Sequence, residues 1–175
     1  IAIFDKQSGS KISESSLGAF HPGSSGDPRI LYDQYSDRWV VLITNFNNRL
    51  YLSVSTTSDP TGSWFKTDFL VSTGADSGRW PDYPTLGVNE DGIYSACYMV
   101  GSPARMSIFA VEKAPLISVS PSLGDVTAFR ELPWEGAIQP AHTYGALNRQ
   151  YFISKPAGVN IHVRAVSYTH LTLPT

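Results

Sequence analysis

The chain has 175 residues, a formal net charge of −2 and only 16% charged residues, a balance that argues against nucleic-acid or polybasic membrane binding. Aromatic residues make up 12% of the chain, and 14 glycines and 12 prolines supply many turns, which is typical of a domain built from short strands. A single cysteine, Cys97, excludes an internal disulfide framework, and its apolar neighbours predict a buried position. No apolar run approaches the roughly 18 residues of a membrane span.

Three similar stretches recur along the chain, and each places a proline near the start of a short apolar strand. The stretches read DPRILYD, DYPTLGV and IQPAHTYG, and their prolines are Pro28, Pro84 and Pro140, at intervals of 56 residues. A proline has no amide hydrogen to donate, so it costs least at the start of a strand or at a sheet edge. The spacing predicts a tandem repeat, and IAIFDKQSG before it predicts the outer strand and turn of an earlier unit.

Each predicted unit continues with further strands separated by polar turns. The second strands read WVVLITNF, IYSACYMV and QYFISK, and the third strands read LYLSVST, MSIFAVE and IHVRAV. Fourth strands, WFKTDFL and VTAFREL, follow in the first two units. Four antiparallel strands in a unit of about 40 to 55 residues are typical of a β-propeller blade. The second strands are apolar on both faces, which is expected of a sheet covered on both sides.

The sequence therefore predicts an all-β fold, namely a partial β-propeller of about three four-stranded antiparallel blades in an open arc. The predicted blades are residues 27–80, residues 81–136 and an incomplete blade at 137–165, preceded by the end of another blade and an inter-blade loop at 1–26. Propellers close with about four to eight blades, so the remaining blades are expected in a longer parent chain.

The last ten residues, VSYTHLTLPT at 166–175, are expected to differ from the rest of the chain in origin. All of them agree with a one-frame translation of a transposase-type sequencing-library adapter, which predicts a non-native tail on a metagenomic fragment. Residues 1–165 are accordingly the predicted partial propeller domain.

The segment TTSDPTGSW joins strands three and four of the first unit. It resembles the Asp-box of sialidase-type propellers, Ser/Thr-x-Asp-x-Gly-x-Thr/Ser-Trp. The matching positions are Thr57, Asp59, Ser63 and Trp64. Gly62 stands one place late. The resemblance implies a bacterial sialidase-like propeller in which this motif is a structural turn away from the active site. We expect Asp59 to accept backbone amides, Gly62 to permit a positive φ and Trp64 to cover the turn.

Ligands of a propeller bind on the face made by the loops that enter each blade and by the loops between strands two and three. Aromatic and cationic residues in these loops, with one histidine predicted in an inner strand, are the candidate ligand-binding residues: Arg49, Arg79, Trp80, Arg105, Trp134 and His142. Indole rings stack on sugar faces, and guanidinium groups hold carboxylates through two hydrogen bonds. The sequence thus predicts a secreted or surface-exposed module that binds carbohydrate or a cell-surface protein. The structural alternatives are that the tryptophans seal the seams between blades and that His142 is a core histidine.

Three carboxylates, Asp27, Asp82 and Glu135, are candidates for general acid/base catalysis. The segment GDPRILYDQYSDRW looks like an inner strand of five-bladed arabinanase-like enzymes, and this resemblance gives Asp27 the role of base. A glycoside hydrolase of the sialidase-like or arabinanase-like type is therefore an alternative function, and a structural repeat scaffold is another. The structural alternative for Asp27 and Asp82 is that they cap turns.

No cofactor is predicted, and no metal site. The triplet NED at residues 89–91 suggests calcium, but the remainder of a calcium loop is missing, so the triplet predicts a hairpin turn. The sequence also contains no serine nucleophile elbow, phosphate-binding loop or zinc motif.

Overall fold

The computed structural model describes residues 1–147, 149–156, 158 and 160–166. Strands account for 47% of the described residues and helices for 7%, which confirms the predicted all-β class. All strand pairings in these ranges are antiparallel. Of the predicted tail, residues 167–175 lie outside the described residues.

The chain begins with a hairpin and a single helical turn. Strands β1 (Ala2–Phe4) and β2 (Lys11–Glu14) form the hairpin, and helix α1 (Leu17–Phe20) follows. The hydroxyl of Ser16 caps this helix by accepting the Ala19 amide at 3.2 Å. This segment then leads into the first of three larger sheets.

The first large sheet is a four-stranded meander. Its strands are β3 (Gly26–Asp33), β4 (Arg38–Thr44), β5 (Arg49–Ser55) and β6 (Trp64–Leu70), and they pair in chain order. β-Branched, aliphatic and aromatic residues dominate them, as strands require. Asn45 shapes the β4–β5 turn because its side-chain oxygen accepts three successive amides at 3.0 Å.

The second sheet has the same order, but its inner strand is interrupted. Its strands are β7 (Trp80–Asp82), β8 (Gly87–Val88), β9 (Gly92–Val100), β10 (Arg105–Glu112) and β11 (Val126–Leu132). Both β7 and β8 pair with β9, so DYPTLGV is not the continuous strand that its pattern predicts. Pro84 lies at the break, where it has no amide hydrogen to contribute to the ladder.

The third sheet contains three strands. These are β12 (Gln139–Pro140), β13 (Gln150–Ser154) and β14 (His162–Val166), paired in chain order. The predicted strand IQPAHTYG is thereby reduced to two residues. Val166, the first residue of the predicted tail, pairs with Gln150 and is buried. Two 3-10 helices, Gly74–Asp76 and Ala114–Ile117, complete the helical segments of the described residues.

Both faces of the second sheet are buried, because it lies between the other two. One apolar cluster joins the first sheet to β9 and β10 and contains Ile93, Cys97 and Met99. A second cluster joins β9 and β10 to the third sheet and contains Tyr94 and Ala96. Successive side chains of a strand point to opposite faces, so the apolar residues of β9 fill both clusters although Ser95 interrupts the run.

The two outer sheets leave apolar side chains exposed on the faces that point away from the second sheet. On the third sheet these are Tyr151, Ile153 and Val163, and on the first sheet they are Ile30 and Tyr32. In the same strands, Phe152 is buried and Leu31 is half-buried in the clusters shared with the second sheet. On the outer face of the first sheet, Val41 and Ile43 of β4 are also buried, so that face is only partly exposed.

A buried ion pair joins the first two sheets. The Lys113 ammonium lies 3.0 Å from the Asp33 carboxylate, and both side chains are almost fully buried. Lys113 also donates to the Asn89 carbonyl at 2.5 Å. Close by, the Tyr35 hydroxyl donates to the Thr143 carbonyl at 2.8 Å and so connects the first sheet to the third. A buried pair of this kind is stable only while both charges are present.

Replacing Lys113 by methionine is expected to lower the free energy of unfolding by about 3–5 kcal/mol, because the Asp33 carboxylate stays buried without its counter-charge. The matched control is Lys11→Met, which removes an ammonium group from the exposed Lys11–Glu14 pair and is expected to cost less than about 1 kcal/mol. Urea unfolding followed by tryptophan fluorescence measures both values. Equal losses from the two variants would contradict a stabilising role for the buried pair.

The Cys97 thiol is expected to be unreactive in the folded protein. It is completely buried, and burial raises its pKa to about 12, so very little thiolate forms at neutral pH. A water-soluble disulfide reagent should therefore react at least about a hundredfold more slowly in buffer than in denaturing urea. Similar rates in the two solvents would mean that the second sheet opens readily.

Candidate functional site

Each large sheet forms a buried hydrogen bond with the chain segment that precedes it. The bonds join a polar side chain of the segment to a serine in the sheet: His21 to Ser53 at 2.9 Å, Asp76 to Ser107 at 2.8 Å, and Glu135 to Ser154 at 2.5 Å. All six residues are buried. We call these three contacts the entry-loop bonds. They fix the segments that enter the inner strands, so the side chains carried by those segments have defined positions.

Glu135, a candidate acid/base residue, forms an ion pair within its own module. The Arg164 guanidinium donates to both carboxylate oxygens, one bond measuring 2.8 Å, and Ser154 donates to one of them. Burial would raise the pKa of Glu135, but the hydrogen bonds from Arg164 and Ser154 outweigh it and hold the pKa below 4.5. An ionised, paired carboxylate suits a structural role rather than proton donation.

Asp76 makes a similar contact in the second sheet, and sequence reasoning missed it. Its carboxylate is fully buried and accepts hydrogen bonds from Arg130 at 2.5 Å and from Ser107. Arg130 also donates to the Val71 carbonyl at 2.7 Å, which ties β11 to the linker after β6. No local motif marks Asp76, because its partners are 31 and 54 residues away.

Asp27 and Tyr83 share an unusual backbone conformation. Their φ angles are 49° and 47°, both precede a proline, and they lie one repeat interval of 56 residues apart. A positive φ is uncommon in residues other than glycine, and a following proline narrows the choice further. The entries to the two inner strands are therefore strained in the same way, which is frequent at functional positions.

Two of the three candidate carboxylates have hydrogen-bond partners in the part of the chain that the structure describes. No hydrogen bond links Asp27, Asp82 and Glu135 there, and Glu135 is occupied by Arg164. The Asp82 carboxylate accepts the amide of its neighbour Tyr83 at 2.9 Å, which is a turn-stabilising contact.

The candidate arginines are held mainly by contacts within the protein. Arg79 donates to the Pro103 carbonyl at 2.9 Å and to the Ala75 carbonyl at 2.5 Å, so it connects two loops. Arg49 pairs with Asp68 on the neighbouring strand, and Arg105 donates to the adjacent Ala104 carbonyl at 3.1 Å. Trp80 packs edge-to-face against Phe46, with ring centroids 6.1 Å apart.

A row of aromatic rings crosses the loop end of the second sheet. Trp134 lies against Tyr98 with centroids 4.7 Å apart and planes tilted by 34°, and Tyr98 is 6.2 Å from Tyr83. Trp134 is 55% exposed as a residue, which leaves part of its apolar surface in contact with water. We call Trp134, Tyr98 and Tyr83 the aromatic row. The sequence singles out Trp134, but Tyr98 lies within a buried strand and carries no local signal.

A small polar cavity of about 180 Å³ lies where the inner strands of the three large sheets meet. Its polar lining residues are Arg29 from the first sheet, Tyr83 from the second, and Gln139 and His142 from the third. Arg29 lies over the Tyr83 ring, 4.6 Å from its centroid, so the cavity adjoins the aromatic row. His142 follows β12 and is exposed instead of lying in a strand.

The turn between β5 and β6 is organised by Asp59. Its carboxylate accepts the Thr61 amide at 2.8 Å and the Thr61 hydroxyl at 2.7 Å, and these bonds lower its pKa. Thr57 accepts the Asp59 amide at 3.2 Å, and the Trp64 indole donates to the Pro60 carbonyl at 3.1 Å. Gly62 does not have a positive φ, contrary to expectation, because the side-chain bonds of Asp59 close the turn without it.

Asn89 forms a hairpin turn between β8 and β9. Its side-chain oxygen accepts the Asp91 amide at 3.0 Å and the Gly92 amide at 2.9 Å. Among the described residues, no group of three or more histidine, cysteine, aspartate or glutamate side chains could hold a metal ion. Within the same residues, no helix has the length and apolar character needed to cross a membrane.

Comparison with known proteins supplies no relative from which a function can be transferred. No family model matches the chain, and no curated protein or solved structure is significantly similar to it. The side chains described above are therefore the basis for assigning a function.

Replacing Glu135 by glutamine is expected to lower the free energy of unfolding by about 1.5–3 kcal/mol at neutral pH, because the charge-assisted bonds from Arg164 are lost. The lowered pKa of Glu135 means that this stability is present above pH 4.5 and is lost as the pH falls through the folded-state pKa. The difference between wild type and variant should therefore shrink in thermal unfolding below about pH 4.5. Glu14→Gln is the exposed control, and a difference that stayed constant with pH would contradict the assignment.

Proposed function

We propose that this chain is part of a β-propeller and that its loop face binds carbohydrate through the aromatic row. Three successive antiparallel sheets with the same strand order support the propeller arrangement. The entry-loop bonds and the matching strain at Asp27 and Tyr83 support it as well, because they recur from one sheet to the next. Antiparallel sheets stacked face to face around an axis are the defining feature of propellers.

The remaining blades of a longer parent chain are the proposed partners of the two outer sheets. Their exposed faces carry Tyr151, Ile153 and Val163 at one end and Ile30 and Tyr32 at the other. In the second sheet, the corresponding faces are both buried, one against each neighbouring sheet. Large apolar side chains on a sheet face usually indicate an interaction surface.

The geometry of the aromatic row supports the proposed sugar binding. The exposed indole of Trp134 is supported from behind by Tyr98, so its ring has a fixed direction and an open face. Flat aromatic surfaces of this kind stack on the apolar face of a sugar ring. The carbohydrate proposal rests on one observation, namely that Trp134 is exposed while its ring packs against Tyr98. A module of this kind acts at a secreted or surface-exposed location.

A glycoside hydrolase is a second candidate, favoured by one observation. Asp27 is held with a φ of 49° at the entry to β3, and such strain is frequent at catalytic positions. If Asp27 is the base, the reaction still needs a second group as proton donor. Glu135 is poorly suited to that role because it is ionised and paired with Arg164. Loss of aryl-glycoside turnover in Asp27→Asn tests this alternative. The one feature that supports the proposed relationship to sialidase-like propellers is the turn organised by Asp59.

Replacing Trp134 by alanine is expected to weaken glycan binding by about thirtyfold or more, because truncating a central aromatic contact costs about 2 kcal/mol. A glycan array followed by calorimetry on the strongest ligand measures the change. The matched control is Phe129→Ala, which removes an exposed ring from the outer strand β11 and is expected to leave binding unchanged. Unchanged binding in Trp134→Ala, or no glycan bound by the wild type, would favour a structural repeat scaffold.

A further inference from the structure

The polar cavity is the point at which side chains from all three inner strands come together. Arg29 lies in β3, Tyr83 lies between β7 and β8, and Gln139 begins β12, with His142 two residues beyond that strand. These residues are far apart in the sequence, so only the packing of the three sheets creates the cavity. Its volume is about 180 Å³, several times the roughly 10–15 Å³ that a single water molecule needs.

Arg29 is held so that its charge faces this cavity in a fixed direction. Its Nε donates to the Pro84 carbonyl at 2.7 Å, and its guanidinium plane lies over the Tyr83 ring. Among the described residues, no carboxylate pairs with Arg29, and neither of its terminal nitrogens donates a hydrogen bond. A guanidinium anchored through Nε keeps its two terminal nitrogens for a ligand that offers two oxygens.

The other polar side chains of the cavity also suit an anionic ligand. Gln139 carries amide hydrogens, and His142 carries a ring N–H, so both are able to donate to an oxygen atom. The cavity lining contains no aspartate or glutamate among the described residues, so Arg29 gives it a positive charge. Half-buried positive charge in a concave site attracts small anions more strongly than the same charge on an open surface.

We propose that this cavity is a binding site for a small oxyanion, a carboxylate or a phosphate, held by two hydrogen bonds from Arg29 and oriented by Gln139 and His142. The site does not depend on sugar binding by the aromatic row. It adjoins that row through Tyr83, so an oxyanion carried on a larger ligand has room to occupy the cavity while the rest of the ligand lies against the rings.

The test is titration of the chain with sodium acetate and, separately, with sodium phosphate at constant ionic strength, followed by amide chemical shifts. We expect saturable shifts at residues 29, 139 and 142 with at least one of the two anions. Acetate alone would identify a planar carboxylate site, and phosphate alone would identify a tetrahedral one. The absence of saturable shifts with both anions would overturn the proposal.

Two variants locate the site. Arg29→Gln is expected to weaken anion binding by about tenfold or more, because charge-assisted hydrogen bonds are lost. Gln139→Glu is expected to have a similar effect, because it places a negative charge in the cavity while its exposed side chain keeps its size. Gln139→Glu also decides the matter if Arg29→Gln does not fold.

The matched control is Arg38→Gln, which removes another half-buried arginine from the first sheet, whose side chain donates to the Ser36 and Asp37 carbonyls. It is expected to leave anion binding within about twofold of wild type. Equal weakening in Arg38→Gln and Arg29→Gln would mean that net charge alone attracts the anion, and it would overturn the site. Trp134→Ala is expected to keep anion binding, so failure of the oxyanion site and failure of the carbohydrate proposal are distinguishable.

Discussion

Burial of β9 on both faces is the constraint on which the remaining structure depends. Its odd-numbered side chains fill the cluster shared with the first sheet, and its even-numbered side chains fill the cluster shared with the third. At about 25 cal/mol for each Å² of apolar surface buried, two such clusters outweigh any single polar contact in the molecule. Removing either outer sheet would expose one face of β9. The three sheets are therefore expected to fold together.

Polar contacts then define how neighbouring sheets are placed, which apolar packing alone does not. The buried pair of Asp33 and Lys113 joins the first two sheets near the β3–β4 turn. The entry-loop bonds of Asp76 and Glu135 fix the segments that lead into the second and third sheets. Buried ionic and hydrogen-bonded groups tolerate few alternative arrangements, because any shift leaves a charge without a partner. These contacts therefore specify how neighbouring sheets are placed relative to one another, which apolar packing alone leaves undefined.

The sequence predicts strands well where burial decides the pattern and poorly where a backbone irregularity intervenes. The apolar runs of β4, β9 and β10 correspond to continuous strands, because side-chain alternation and composition agree there. The proline strands are different, since Pro84 interrupts one of them and β12 is only two residues long. The side chains of the aromatic row and the cavity could be predicted only in part. Trp134 stands out in a loop, whereas Arg29 and Tyr98 become recognisable only when separate sheets bring them together.

The positive φ angles at Asp27 and Tyr83 connect the fold to the proposed sites. Each positive φ angle occurs at the entry to an inner strand. At the entry to the second sheet, the Tyr83 ring lies beneath the Arg29 guanidinium. That contact holds the guanidinium beside the cavity, and Tyr98 extends the ring surface from Tyr83 to Trp134. Backbone strain of this kind costs about 1–3 kcal/mol and persists only where the surrounding packing enforces it. The double burial of β9 supplies that packing, so the same interaction that stabilises the sheets also maintains the geometry of the loop face.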